Sequence, residues 1–93
     1  MKFEWDEPKN TINKAKHDVW FEEAQTIWAD SHSIEFFDPE HSDDEDRFIR
    51  IGISTRLNLL IVAFCERAEG EIIRIISARK ATSTEREQYE EGI

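Results

Sequence analysis

The first part of the chain carries a weak apolar pattern that predicts a short strand followed by a surface helix. Residues 2–5 are aromatic and polar in alternation, which is typical of a strand. Asp6 followed by an acid and a proline predicts a helix N-terminus with Asp6 as N-cap, and the helix should run to about His17. Its few apolar positions, chiefly Ile12 and Ala15, place this helix at the surface.

The apolar patterns become stronger after residue 19. Positions 20/21, 24, 27 and 28 share one helical face and predict a second, better anchored helix. Alternating or continuous runs rich in isoleucine then predict four strands, of which the last three form a β-meander. These strands cover residues 34–38, 47–54, 59–67 and 72–78, and an acidic loop at 39–46 separates the first two.

The third of these strands, residues 59–67, is apolar almost throughout, as expected of a central strand that is covered on both faces. After the last strand, Thr82 and Glu85 have the spacing of a capping box, which predicts a polar helix through Tyr89. The predicted order is β-α-α-β-β-β-β-α. This order indicates an α+β fold with a mostly antiparallel sheet, two N-terminal helices and one C-terminal helix.

Composition limits the kinds of protein that this chain can be. With 93 residues it should form one domain, residues 1–93. The longest apolar run has seven residues, so no membrane association is expected, and the first residues do not resemble a signal peptide. A single cysteine, Cys65, fits a reducing compartment, and we expect a cytoplasmic protein. The formal net charge of −9 argues, at face value, against binding to nucleic acid.

The net charge hides an asymmetry between the two halves of the chain. Residues 1–46 hold 14 acids and four lysines, whereas residues 47–93 hold seven acids, seven arginines and one lysine. Arginine presents a planar fork that matches phosphate or carboxylate. Any anion recognition is therefore expected in the C-terminal half, and the acids at 30–46 should form a strongly negative region.

Several kinds of site are disfavoured by the sequence. The three glycines do not form a phosphate-binding loop, so nucleotide-dependent phosphoryl transfer is not expected. Residues 38–44 contain carboxylates and His41, which could suit a hard cation, but they lack the glycine and terminal glutamate of a calcium loop, and we interpret them as a solvated acidic loop without a metal. Cys65 is interpreted as a buried structural cysteine rather than a nucleophile, because it lies in an apolar strand. We expect no cofactor.

Two groups of residues remain as candidates for chemistry. Lys9, Asn13, Lys16 and His17 have the spacing of one face of the first helix, and they either meet a phosphodiester or form a solvated face. The second group lies at strand ends and either binds an anion or forms a structural network of ion pairs. It comprises Glu66, Arg67, Arg74, Arg79 and Lys80.

These residues, in order along almost the whole chain, resemble the BrnT toxins of type II toxin–antitoxin systems. The resemblance is carried above all by the run Arg74-Ile75-Ile76-Ser77-Ala78-Arg79-Lys80-Ala81 and by Glu85-Arg86-x-x-Tyr89, together with Phe3-x-Trp5-Asp6, Lys9, Asn13, Lys16-His17, Phe21-Glu22-Glu23-Ala24 and Glu66-Arg67. It implies a RelE-like fold and a ribonuclease that arrests translation and growth. It also implies neutralisation by a BrnA-like ribbon-helix-helix antitoxin in a 2:2 complex, through which alone the toxin would reach operator DNA.

The resemblance suggests roles for the candidate residues in RNA cleavage without a metal. Arg67 and Arg79 would clamp the phosphate, Lys80 would add charge, and Glu66 would act as base or orient an arginine. His17 and Tyr89 are further candidates for proton transfer. Lys9, Asn13, Lys16 and Arg74 would bind RNA.

Two positions depart from the family pattern, which reads Lys-His-Gly-Val-Ser-Phe-Glu-Glu-Ala in this region. Asp18 stands where a glycine would form a left-handed C-cap, and Trp20 stands where a serine would cap the second helix. The geometry beside His17 is therefore expected to differ. Two alternatives stay open, namely a non-enzymatic interaction module and a degenerate toxin that only binds its antitoxin.

Overall fold

A computed structural model describes residues 1–42 and 45–92, in which five strands form one sheet. The sheet order is β1-β5-β4-β3-β2; β1 runs parallel to β5, and every other neighbouring pair is antiparallel. The predicted α+β fold and element order are confirmed. The strands are Lys2–Glu4 (β1), Ile34–Asp38 (β2), Arg47–Ile53 (β3), Leu59–Arg67 (β4) and Ile72–Lys80 (β5), and the α-helices are Glu7–His17 (α1), Phe21–Ala24 (α2) and Ser83–Glu91 (α3).

Strand β4 lies at the centre of the sheet and is covered on both faces, as predicted. The first face carries the larger core, in which Phe21 and Phe64 are fully buried. Burial of each such side chain contributes about 1.5–3 kcal/mol. On the second face a smaller cluster, Ile51, Leu59 and Ile61, packs against α3. The larger core comprises Val19, Phe21, Ala24, Ile27, Leu60, Val62, Phe64, Ile73, Ile75 and Ala78.

Helix α1 is held by amides rather than by apolar side chains. Ile12 is 58% exposed and Ala15 is also exposed, whereas Asn10 and Asn13 are buried. The helix lies at the surface as predicted, but its two apolar positions do not face the core. Hydrophobic periodicity cannot detect this arrangement, because the inward positions are polar.

The side-chain amide of Asn13 hydrogen-bonds to the edge of β5 where, in the described part of the chain, no neighbouring strand pairs with it. Strand β1 pairs only with residues 72–74 of β5, so the edge of β5 beyond Arg74 needs other partners. Asn13 Nδ2 donates to the carbonyl oxygen of Ala78 (2.8 Å), and Asn13 Oδ1 accepts from the Ala78 N–H (3.1 Å). Its second N–H donates to the carbonyl oxygen of Val19 (2.9 Å). All hydrogen-bonding groups of this amide are thus used inside the fold.

The two departures from the family pattern leave the helix ends intact. Asp18 adopts the left-handed conformation of a C-cap (φ 58°, ψ 34°), and its carboxylate forms an ion pair with Lys14. Trp20 occupies the N-cap position of α2 without a side-chain hydrogen bond. Asn10 Oδ1 accepts from the N–H of Phe21 at 2.7 Å, which satisfies one of the unpaired donors at the start of α2.

Other elements differ from prediction in detail. The second helix is α-helical only to Ala24, and Gln25–Ala29 continues as a 3₁₀-helix. This segment lies close to β3, where a Cβ on Gly52 would be 3.0 Å from Cβ of Ile27. Strand β5 extends to Lys80, and α3 begins with the predicted capping box. Asp43 and Asp44 of the predicted acidic loop lie outside the described residues, and no helix in the described part has the length and hydropathy of a membrane span.

Replacing the buried amide should reveal how much it stabilises the fold. We expect Asn13→Ala to lower the free energy of unfolding by about 2–3 kcal/mol, because buried backbone groups of Val19 and Ala78 lose their partners. The measurement is urea denaturation followed by circular dichroism. Thr11→Ala, an exposed change on the same helix, should shift stability by no more than about 0.5 kcal/mol. Equal stability of the two variants would contradict the role given to Asn13.

Candidate functional site

The second face of the sheet is open beside the cluster that α3 covers. A cavity of about 380 Å³ lies there, between β5, the start of β3 and the segment after β2. Its walls carry three permanent cations, and Cys65 lies at its base with a thiol pKa that burial raises. The lining residues are Lys9, Glu40, His41, Glu45, Arg47, Cys65, Arg74 and Ile76.

Two carboxylates hold the arginines at this open face. Arg74 Nη1 lies 2.9 Å from Glu4 Oε2, because Glu4 and Arg74 are directly paired between β1 and β5. Arg67 lies between Glu4 (3.8 Å) and Glu45 (3.4 Å) and remains about half exposed. Ion pairs with this exposure contribute about 0–1 kcal/mol. A phosphate can therefore replace these carboxylates at small energetic cost.

A second cavity, of about 180 Å³, continues the first along α1. Lys9 and Ile76 line both cavities, so the two form one groove between α1 and β5, which we call the α1–β5 groove. A shift in the pairing of β4 and β5 leaves Ile76 without a direct partner, and this β-bulge places it in the groove. The second cavity is lined by Lys9, Ile12, Asn13, Lys16, His17, Ile76 and Ser77.

The groove brings together several of the predicted site residues. Lys9, Lys16, His17 and Arg74 line it, and Arg67 is connected to Arg74 through Glu4. Asn13 also lines it, but its amide is fully occupied by Val19 and Ala78, which favours a structural role over contact with RNA.

Arg79 lies elsewhere, at the junction of β5 and α3. Its guanidinium forms a two-point contact with Glu85, at 2.8 Å to Oε1 and 2.7 Å to Oε2. The hydrogen bonds from Arg79 lower the pKa of Glu85 to about 2, and those to Glu85 raise the pKa of Arg79. Glu85 also accepts the backbone N–H of Thr82 as part of the capping box. Arg79 thus fixes the start of α3 to the sheet.

The remaining predicted residues are also apart from the groove. Tyr89 donates to Asp30 Oδ2 at 2.6 Å; burial and this hydrogen bond raise the pKa of Tyr89 to about 12. Lys80 lies 3.9 Å from Asp18. Glu66 pairs with Ile73, a member of the larger core, so it points to the first face of the sheet, while Arg67 contacts Glu4 and Glu45 on the second.

Four residues of the open face escaped prediction. Glu4 alternates with Phe3 and Trp5, so the period of two could have identified it as the outward position of β1. Arg47, at the first position of β3, belongs to the arginine-bearing half, but nothing in its local pattern indicates which face it takes. His41 and Glu45 come from the acidic segment, whose position over the sheet no local pattern indicates.

Comparison with known proteins gives the family. The family model described as "Ribonuclease toxin, BrnT, of type II toxin-antitoxin system" matches residues 5–85. This chain belongs to the BrnT ribonuclease toxin family. The crystal structure of the Brucella abortus ribonuclease toxin BrnT, at 1.1 Å resolution, is similar, with 29% sequence identity and a TM-score of 0.64. The match covers 89% of this chain and 99% of that one. A search of curated proteins gave no match.

The resemblance to BrnT toxins that the residues suggested is thereby confirmed, and so is the prediction of a ribonuclease of this family. Much of the most specific sequence segment, Arg74 to Lys80, is strand β5. Three residues of that strand serve different purposes: Arg74 borders the groove, Ala78 is held by Asn13, and Arg79 anchors α3.

Because of the Arg79–Glu85 contact, the free energy of unfolding should depend on pH in the acidic range. Because the pKa of Glu85 is lower in the folded chain (about 2) than its ordinary 4.5, its stabilising effect is complete above 4.5 and is lost as pH falls towards 2. We expect Glu85→Gln to reduce the free energy of unfolding by about 1 kcal/mol at neutral pH. The loss is small because solvent screens this partly exposed ion pair. The difference from the wild type should shrink in acid. Urea denaturation across this pH range measures it, and a difference that stays constant with pH would contradict the assignment.

Proposed function

We propose that this chain is a metal-independent endoribonuclease that cleaves RNA in the α1–β5 groove. The observation that carries the proposal is the convergence of Lys9, Lys16, His17 and Arg74 on one groove in a chain whose net charge is −9. A local positive site in a negative protein supports binding of a short stretch of phosphate backbone, with weak attraction of RNA elsewhere.

The reaction needs few groups, because RNA supplies its own nucleophile. The ribose 2′-oxygen attacks the adjacent phosphorus, its proton passes to a base, and the P–O5′ bond breaks as the leaving oxygen takes a proton. The products are a 2′,3′-cyclic phosphate and a 5′-hydroxyl. Charge that develops on the phosphate oxygens is stabilised by fixed cations, so no bound metal is required.

We assign Arg67 and Arg74 to the phosphate, with Lys9 and Lys16 on the neighbouring backbone. His17, at the exposed end of α1, stays our candidate for proton transfer; it lines the second cavity with Lys16 and Ser77, while the other imidazole of the groove, His41, lines the first. Both arginines are held by carboxylates that RNA phosphate would displace. Glu4 and Glu45 therefore weaken nonspecific binding and favour RNA that fills the whole groove.

Four of the predicted site residues lie outside the groove and have no direct role in the proposed reaction. They are Glu66, Arg79, Lys80 and Tyr89. Arg79 contacts RNA only if Glu85 releases it, since two of its donors are engaged. Tyr89, with a pKa near 12, is a weak proton donor for catalysis and a good hydrogen-bond donor to Asp30. Lys80 lies beside Asp18, and Glu66 lies on the first face. These four residues stabilise the chain around the site or act after rearrangement.

At the level of the cell, we propose that RNA cleavage arrests translation and growth in the cytoplasm. A BrnA-like ribbon-helix-helix antitoxin would neutralise the toxin in a 2:2 complex and carry it to operator DNA. The family description, which specifies a type II toxin–antitoxin system, supports the existence of a protein antitoxin. The alternative of a degenerate toxin depended on Asp18 and Trp20; against it, Asp18 keeps the left-handed C-cap of α1, and Asn10 accepts the N–H of Phe21 at the start of α2.

Removal of the arginines should separate an enzyme from a binding module. In an assay of purified protein on RNA in EDTA, we expect wild-type cleavage and a loss of about a hundredfold in kcat/KM for Arg67→Ala and Arg74→Ala. Arg56→Ala removes the same charge from an exposed turn and should change the rate by less than about twofold. Wild-type cleavage that depends on added Mg²⁺, or equal rates in all four proteins, would refute the proposed mechanism.

The carboxylate partners give a second test with the opposite sign. Glu45→Gln removes one acid beside Arg67, so we expect it to tighten binding of a non-cleavable RNA by several-fold at low salt. The gain should decline as salt rises, because screening weakens both attraction and repulsion. Fluorescence anisotropy measures both effects, with Glu87→Gln on the exposed surface of α3 as the control. An equal gain in the control would show that only net charge matters.

A further inference from the structure

The sheet ends at β2, which is hydrogen-bonded to β3 alone among the described elements. One edge of Ile34–Asp38 therefore presents backbone donors and acceptors to solvent. Proteins usually protect such an edge with lysine, proline or a bulge inside the strand. The β2 sequence Ile-Glu-Phe-Phe-Asp has no lysine, proline or bulge, and its pairing with β3 is regular over all five residues; its short length and the acids Glu35 and Asp38 are the protection it carries.

Two phenylalanines are exposed on opposite sides of this edge. Phe37 is 52% exposed and packs edge-on against Phe48, with ring centroids 5.7 Å apart. Phe36 is 40% exposed and lies opposite Ile49 on the other face. Phe37 is also the last ring of an aromatic series that crosses the sheet through Phe48 and Phe64. A strand added beside β2 would bury both rings.

The charge around the edge indicates the chemistry of the partner. Residues 30–46 contain eight acids and no lysine or arginine. Glu35 is paired with Arg50 at 2.7 Å and Asp38 contacts His41 at 3.0 Å, while Glu40 is exposed beyond the end of the strand. A second copy of this chain paired through β2 would bring two such acidic segments together, which is unfavourable. An extended segment with lysine or arginine between apolar residues fits instead.

We propose that the free edge of β2 binds an extended, basic segment of the antitoxin, which joins the sheet as an additional strand. Backbone hydrogen bonds would provide affinity, and contacts with Phe36 and Phe37 would select apolar side chains at alternate positions. The identity of the partner as the antitoxin rests on the proposed function. The binding chemistry of the edge does not, because it can be measured without RNA.

The experiment uses the full chain and two short synthetic peptides, one of alternating Lys and Val and one of alternating Glu and Val. Amide hydrogen exchange and ¹H–¹⁵N spectra are recorded with each peptide. We expect the Lys/Val peptide to slow exchange in Ile34–Asp38 about tenfold or more, and the Glu/Val peptide to have no effect. Phe37→Lys should weaken Lys/Val binding by roughly tenfold. Leu57→Lys, an exposed change of equal charge in the β3–β4 turn, should not.

Three results would overturn the proposal. The first is equal protection by both peptides, and the second is protection confined to the α1–β5 groove. The third is a dimer in sedimentation that Phe37→Lys dissociates, because a second copy would then be the occupant. RNA cleavage by Phe37→Lys should match the wild type, so a chain without ribonuclease activity would refute the proposed function and leave this test intact.

Discussion

The hydrogen bonds between the Asn13 amide and Ala78 are the interaction on which the arrangement of the site depends. Strand β1 is too short to pair with the whole of β5, and the edge beyond Arg74 would otherwise lack partners. A side-chain amide reproduces the donor and acceptor of a peptide unit, so one residue of α1 can complete the sheet there. This contact fixes the distance between α1 and β5. The α1–β5 groove exists because the helix is held at the edge of the sheet by an amide instead of being packed over it.

The same geometry divides the charged residues into two groups with different surroundings. Along β5, Arg74 borders the open groove, where a partly exposed carboxylate holds it. Arg79, five residues later, is engaged by both oxygens of Glu85 and joins β5 to α3. To bind Arg74, a phosphate must displace one partly exposed contact with Glu4, whereas to bind Arg79 it must displace both oxygens of Glu85. This difference favours Arg74 and its neighbour Arg67 as ligands of RNA, and Arg79 as an anchor of the helix.

Apolar patterning predicted the sheet, whereas the placement of the charged and amide side chains depends on contacts that are distant in sequence. Strand β4 and the capping box at Thr82 follow from local sequence, because burial on both faces and helix capping are decided by neighbouring residues. The inward face of α1 does not, since Asn10 and Asn13 are polar and their partners are distant in sequence. Glu66 and Arg67 are adjacent on β4 and point to opposite faces, as the period of a strand requires. The register of the strands is needed to know which charged side chains lie on the same face of the sheet.

The acidic and basic residues of the chain are distributed unevenly over the fold. The acids that seemed to exclude nucleic acid lie largely in the first half, and those near β2 surround a free edge suited to a basic protein segment. Most cations of the groove lie towards the other end of the sheet order, on β5 and α1, whereas Arg47 of β3 and the acids Glu40 and Glu45 line its far wall. The proposed sites for RNA and for a basic partner therefore lie on different parts of the sheet.

The most direct measurement is an NMR titration of the chain with a short 2′-O-methyl RNA, which binds but lacks the nucleophile for cleavage. If RNA binds the α1–β5 groove, the largest amide shifts fall there, at Lys9, His17, Arg74 and Ser77. Shifts centred on Arg79 and Tyr89, with the groove unchanged, would contradict it.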